Sequence, residues 1–151
     1  WIAFGRDQRV LRVRDVSELL ADAGQRVGAP LPYRVTYDAP CHLQHAQRIS
    51  AQPLAMLDAI PGLERVALTD ADQCCGSAGI YNLLEPALSA AVLAPKLEHI
   101  RVTGASLVAT GNPGCLMQIG AGMRRAGVPA RTIHPVELLD ASYARAPASG
   151  A

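Results

Sequence analysis

The spacing of apolar positions changes several times along the chain, and each change marks an element. Residues 1–13 show no clear period and read as an N-terminal arm. Asp15-Val16-Ser17-Glu18 has the residues of a capping box, and it opens a short helix with the stripe Val16, Leu19, Leu20 and a stop at Gly24. After a Pro/Gly-containing linker over 27–32, the β-branched and aromatic run 34–37 predicts a strand, with Pro40 placed to begin a helix. Leu43, Ala46, Ile49, Leu54, Leu57 and Ile60 share a helical face, and Pro53 predicts a break into two pieces. Pro61-Gly62 ends that pattern, and 64–68 reads as a second strand. A long helical period covers 84–103, with Pro86 near its first turn, a kink expected at Pro95 and Gly104 at its end. A third strand over 106–110, a helix over 115–126 closed by Gly127, a fourth strand over 130–133 and a last helix over 136–143 complete the pattern.

Strand and helix thus alternate four times. Helical crossovers between successive strands predict an α/β fold, with a mostly parallel four-stranded sheet and helices on both faces in Rossmann-like layers. The expected organisation is an arm and helix over 1–32, one domain over 33–143 and a tail over 144–151.

Composition adds to this picture mainly by exclusion. A chain of 151 residues buries roughly 70% of its unfolded surface, so it needs no disulfide to stay folded. The net charge of +1 is uninformative about partners. Arg6, Arg9, Arg12 and Arg14 cluster without interleaved aromatics, which reads as a solvated or docking face, and no nucleic-acid-binding module is present. No apolar run reaches the length of about 18 residues that spans a bilayer, and no signal peptide opens the chain, so a soluble, cytoplasmic domain is expected. The first residue is Trp1, as expected of an excerpt from a longer chain.

Four cysteines in such a chain point to metal or redox chemistry. Cys41 falls after the first predicted strand, Cys74-Cys75 after the second and Cys115 after the third; His134 follows the fourth. In a parallel sheet every strand-to-helix loop leaves from the carboxyl edge, so these residues share one rim. Gly76 and Gly79 allow the sharp turn that aims both adjacent sulfurs at one site. Helix N-termini after Cys41 and Cys115 favour thiolates there. Four thiolates repel one another unless a cation offsets them, and four cysteinyl sulfurs suit tetrahedral zinc or an iron-sulfur centre. His42 and His134 read as hydrogen-bonding or capping residues that could support a thiolate, His45 and His99 as ordinary helix-face residues, and Asp38 as a turn former or a proton-handling group. Ser77 has no base beside it in sequence, and Gly76-Ser77-Ala78-Gly79 is not a phosphate-binding fingerprint.

Asp38-Ala39-Pro40-Cys41-His42, Cys74-Cys75-Gly76 and Asn112-Pro113-Gly114-Cys115 together resemble the cysteine-rich CCG domain of the glycolate oxidase iron-sulfur subunit and of heterodisulfide reductase. The likeness to the carboxyl-terminal copy in the glycolate oxidase subunit includes DQCCGSAGIYN, ATGNPGCLMQ and HPVELL, and covers residues 33–143. It implies an iron-sulfur cluster, 4Fe-4S in type, on Cys41, Cys74, Cys75 and Cys115. It further implies electron transfer within a complex that oxidises glycolate or another 2-hydroxy acid. Flavin-containing subunits would deliver the electrons and a quinone or other membrane-linked acceptor would receive them, with the complex peripheral to the inner face of the membrane through its partners. This chain would then be a non-catalytic part of an oxidoreductase. The fuller family pattern ends in two cysteines separated by two residues. Here Gln118 stands where the second would be, so a four-cysteine cluster, a zinc site and an empty site all remain open. The alternative function is a docking domain with a zinc-filled or empty site. Thiol-disulfide catalysis by Cys74 and Cys75 conflicts with their adjacency, because redox pairs have two residues between them.

Overall fold

The computed structural model describes residues 14–24 and 26–146. The expected arm over 1–13, with Arg6, Arg9 and Arg12, and the tail beyond 146 lie outside them.

Helix α1 (Val16–Ala23) starts at the Asp15 capping box and stops at Gly24, as its sequence signals require. Val16 and Leu19 nevertheless stay exposed, and Ser17 is the residue α1 buries. Strands β1 (Arg34–Tyr37), β2 (Glu64–Val66), β3 (Leu107–Ala109) and β4 (Arg131–Ile133) form one sheet in the order β2-β1-β3-β4, every pair parallel. The chain moves one way from β1 to β2 and the other way from β2 to β3 and β4. Crossovers of a single hand therefore need helices on opposite faces.

The core shows this division. Val35, Tyr37, Leu107 and Ala109 point to one face and pack with Met56 and Leu57 of α2 (Ala51–Asp58) and Leu138 and Leu139 of α6 (Pro135–Arg145). Val108, between Leu107 and Ala109 in sequence, points to the other face. It packs with Leu93 and Ile100 of α4 (Pro86–Thr103) and with Ile119 and Met123 of α5 (Pro113–Ala126). Each such buried aliphatic side chain contributes about 2 kcal/mol. The fold is α/β, with a parallel four-stranded sheet between helical layers.

Two local details depart from the expectations. The helical pattern over 42–60 does not break at Pro53. A five-residue π-helical segment, His42–Ala46, is followed by an irregular stretch with Arg48 at φ 58°, and α2 then starts at Ala51. Pro53 sits in the first turn of α2, where its missing N–H has no intrahelical acceptor to lose. The helix expected after Cys41 is this short π-helical segment, with Cys41 as its N-cap. The long helical period is α4, with Pro86 as its first residue, and a short helix that was not expected, α3 (Tyr81–Leu84), precedes it. Pro95 lies inside α4, which continues through it to the left-handed Gly104.

Candidate functional site

The reversal of direction between β1 and β3 opens a crevice at the carboxyl edge of the sheet, where loops leave for opposite faces. A cleft of about 920 Å³ lies there, lined by Cys41, Cys74, Cys75 and Cys115 together with His42, Asn82, Ser89, Asn112, Gln118 and Arg125. Cysteines from three separate strand ends thus reach one cavity. Cys41 is exposed at its mouth, Cys74 is partly covered, and Cys75 and Cys115 are buried, 4% and 6% exposed. Among the described residues, no three His, Cys, Asp or Glu side chains converge as a site for one metal ion. The thiols instead extend from mouth to buried wall.

The Cys-Cys turn depends on its glycine. Gly76 has φ 80°, and its N–H donates to Cys74 Sγ at 3.3 Å. Ser89 Oγ, in the first turn of α4, donates to the Gly76 carbonyl at 2.8 Å and clamps the turn to the helix. On the opposite wall, Asn112 caps α5: its side-chain oxygen accepts from the Cys115 N–H at 3.0 Å, and its amide nitrogen donates to His42 Nδ1 at 3.1 Å. One side chain therefore fixes the backbone at Cys115 and ties it to the residue after Cys41.

Cys75 and Cys115 touch, with 2.8 Å between their sulfurs. The hydrogen bond from Cys115 stabilises a thiolate on Cys75 and, against the effect of burial, lowers its pKa from 9.0 to about 7; the Ser77 N–H helps. The same bond, then burial, holds the Cys115 thiol far above its ordinary range. Burial also raises Cys74, against the opposing Gly76 N–H. The two buried sulfurs thus favour one negative charge shared through their hydrogen bond over two separate charges.

The stability consequence has a definite sign. Between about pH 7 and 9.0 the folded chain has released the Cys75 proton while the unfolded chain keeps it, so this contribution is full above 9.0 and lost as pH falls through about 7. Cys115 acts oppositely, because above 9.0 the unfolded chain releases a proton that the folded chain retains. The melting temperature of reduced, metal-free protein is therefore expected to rise between pH 7 and 9 and to fall beyond it. Thermal melts across that range check this; a Cys75→Ala variant should lose the rise, and a flat wild-type profile contradicts it.

The remaining candidates are already occupied. His42 lies at the cleft and accepts from Asn112, whereas His134 caps α6, its Nδ1 accepting from the Val136 N–H at 3.2 Å, and lines a separate small cavity. Gln118 is buried in the cleft wall; it donates to Ser89 Oγ at 2.8 Å and accepts from Asn82 at 3.2 Å. Ser89, Asn82 and Asn112 were not identifiable as site residues from the sequence. Asn112 carried a signal, as a good N-cap just before Pro113, but Ser89 reads only as one more residue of a helical run.

Residues 35–120 match the family model described as a cysteine-rich domain, CCG. The chain is 36% identical over 135 residues to the probable glycolate oxidase iron-sulfur subunit of Bacillus subtilis (strain 168), covering 86% of this chain and 30% of that protein. It is 37% identical over 131 residues to lactate utilization protein A of Geobacillus thermodenitrificans (strain NG80-2), covering 87% and 50%. It is 36% identical over 135 residues to a subunit of the fumarate reductase (CoM/CoB) of Methanothermobacter marburgensis, covering 88% and 28%. The chain spans half or less of the length of these three relatives.

Proposed function

The chain belongs to the CCG family of cysteine-rich domains, and on that premise we propose that it is the electron-relaying part of a 2-hydroxy-acid-oxidising complex. Cys41, Cys74, Cys75 and Cys115 would hold an iron-sulfur cluster of the 4Fe-4S type. The observation that carries this reading is the meeting of four thiols from three strand ends along one cleft. Their donor chemistry suits a thiophilic group.

A bound iron-sulfur cluster supplies one-electron uptake and release. The protein's own part is to bind and shield. Asn112 and Gly76 fix the backbones that carry Cys115, Cys74 and Cys75, and the packing of Leu68, Leu93 and Ile119 around Cys75 and Cys115 keeps water from that end. Exposed Cys41 marks the end nearer to solvent, where a partner could approach.

The relatives are named for glycolate, lactate and fumarate, yet each shares this segment with the chain. That pattern supports a role common to all three over recognition of one substrate. In the proposal, flavin-bearing subunits deliver electrons, and a quinone or another membrane-linked acceptor receives them. Among the described residues no helix is long and apolar enough to cross a membrane, so attachment at its inner face is assigned to partner subunits.

Anaerobic purification of the full complex, followed by iron and acid-labile sulfide analysis, tests the reading. Iron and sulfide in comparable amounts are expected on this segment. Zinc, or no metal at all, overturns it.

A further inference from the structure

Beside the thiol cleft lies a buried ion pair that the proposed relay does not use. Asp38, just past β1, and Lys96, in the middle of α4, are each 1% exposed and in hydrogen-bond contact. Lys96 occupies the same helical face as Leu93 and Ile100, where an aliphatic residue would ordinarily pack. A buried ion pair is weak evidence of stabilisation, because apolar residues of similar volume often do as well or better.

Its other bonds are more informative. Lys96 Nζ also donates to the Ala71 carbonyl at 3.0 Å, in the loop that leads to Cys74 and Cys75. Asp38 Oδ2 accepts from Thr110 Oγ1 at 2.7 Å, just past β3 and ahead of Asn112 and Cys115. The Asp38 N–H donates to Ala109, and the Ala39 N–H to Ala71, so backbone bonds join the same strand ends. All three loops that carry cysteines therefore meet at one pair. Asp38 and Lys96 also lie within electrostatic reach of Cys75, with opposite effects on its thiolate.

We propose that Asp38 and Lys96 are positioning residues for the thiol cleft: the pair holds the Cys74-Cys75 loop in register with the loops of Cys41 and Cys115 while adding no net charge beside the buried sulfurs. This rests on the cleft being the functional site. Neither Asp38 nor Lys96 lines the cleft, so both act through the loops.

Hydrogen exchange and thermal melting of the full chain, purified anaerobically, test this. Lys96→Met strands the Asp38 charge and is expected to lower the melting temperature by about 10 °C. Asp38→Asn combined with Lys96→Met removes both charges and keeps a partner for Thr110, so it should recover most of that loss. The lost bond to Ala71 should still show, as amide exchange over residues 71–77 faster by about tenfold or more, with α2 unchanged. Thr110→Val keeps both charges, removes one bond to Asp38 and is expected to speed exchange over the same residues. A double variant with wild-type exchange over 71–77 reduces the pair to a replaceable core element and overturns the proposal, as does a Lys96→Met variant with wild-type melting and exchange. Iron analysis of the same wild-type sample reports separately on the electron-relay reading, whose failure leaves the exchange comparison intact.

Discussion

Protein carrying Cys75→Ser folds and loses its iron: that is the expected result with the greatest consequence for the proposed function. Cys75 is buried against Cys115 and receives the Ser77 N–H. A serine hydroxyl fits the same space and can keep both hydrogen bonds, so the stability cost should stay near about 1 kcal/mol. As a ligand it fails, because a hydroxyl is a harder and far less acidic donor than a thiol, with little affinity for thiophilic iron. Iron per chain and visible absorbance should both fall sharply while the far-ultraviolet circular dichroism stays unchanged. Iron retained at the wild-type level would mean that Cys75 is a small core residue and that the cleft holds its group elsewhere.

The second large effect is expected at Gly76. A Cβ built there would stand 2.5 Å from the Ser89 carbonyl oxygen, which belongs to the backbone of α4 and cannot swing aside, and φ is 80°. Left-handed strain and displacement of the helix together should cost Gly76→Ala roughly 3 kcal/mol. Gly79 provides the control. Its φ is 67°, but open space surrounds its would-be Cβ. Gly79→Ala should therefore cost only the backbone strain, about 1 kcal/mol. Chemical denaturation of the two variants checks the difference; equal losses would show that the contact with α4 yields freely.

Much of the frame was legible because its signals are local. The Asp15 capping box, the glycines at 104 and 127, and the short β-branched runs each specify their own backbone, and the alternation of strand and helix specifies a parallel sheet. From that sheet alone Cys41, Cys74, Cys75 and Cys115 fall on one edge. Proline was the less dependable signal. Pro53 reads as a breaker and acts as a first-turn residue, since what matters is where the unpaired N–H groups fall and not the proline itself.

The supporting bonds were not legible for a different reason. Lys96 and Asp38 are far apart in sequence, and a lysine at an apolar helical position looks like an interruption until its partner is seen. The same holds for Ser89 and Gln118. Their significance lies in donors and acceptors matched across the cleft wall, which no period or spacing encodes. The contact between the sulfurs of Cys75 and Cys115 was not legible either, because the two residues lie 40 positions apart and meet only through the fold.

Gln118 makes position 118 inseparable from its neighbours. Its amide donates to Ser89, which in turn holds the Gly76 carbonyl, and accepts from Asn82. A cysteine at 118 is shorter and a weaker donor and acceptor, so it would leave Asn82 without its partner in the wall and Ser89 with only its bond to the Gly76 carbonyl. Reinstating a fifth sulfur is therefore not a one-residue edit. The effects of changes at 82, 89 and 118 should combine non-additively, and any redesign of the cleft has to treat these three positions as one unit.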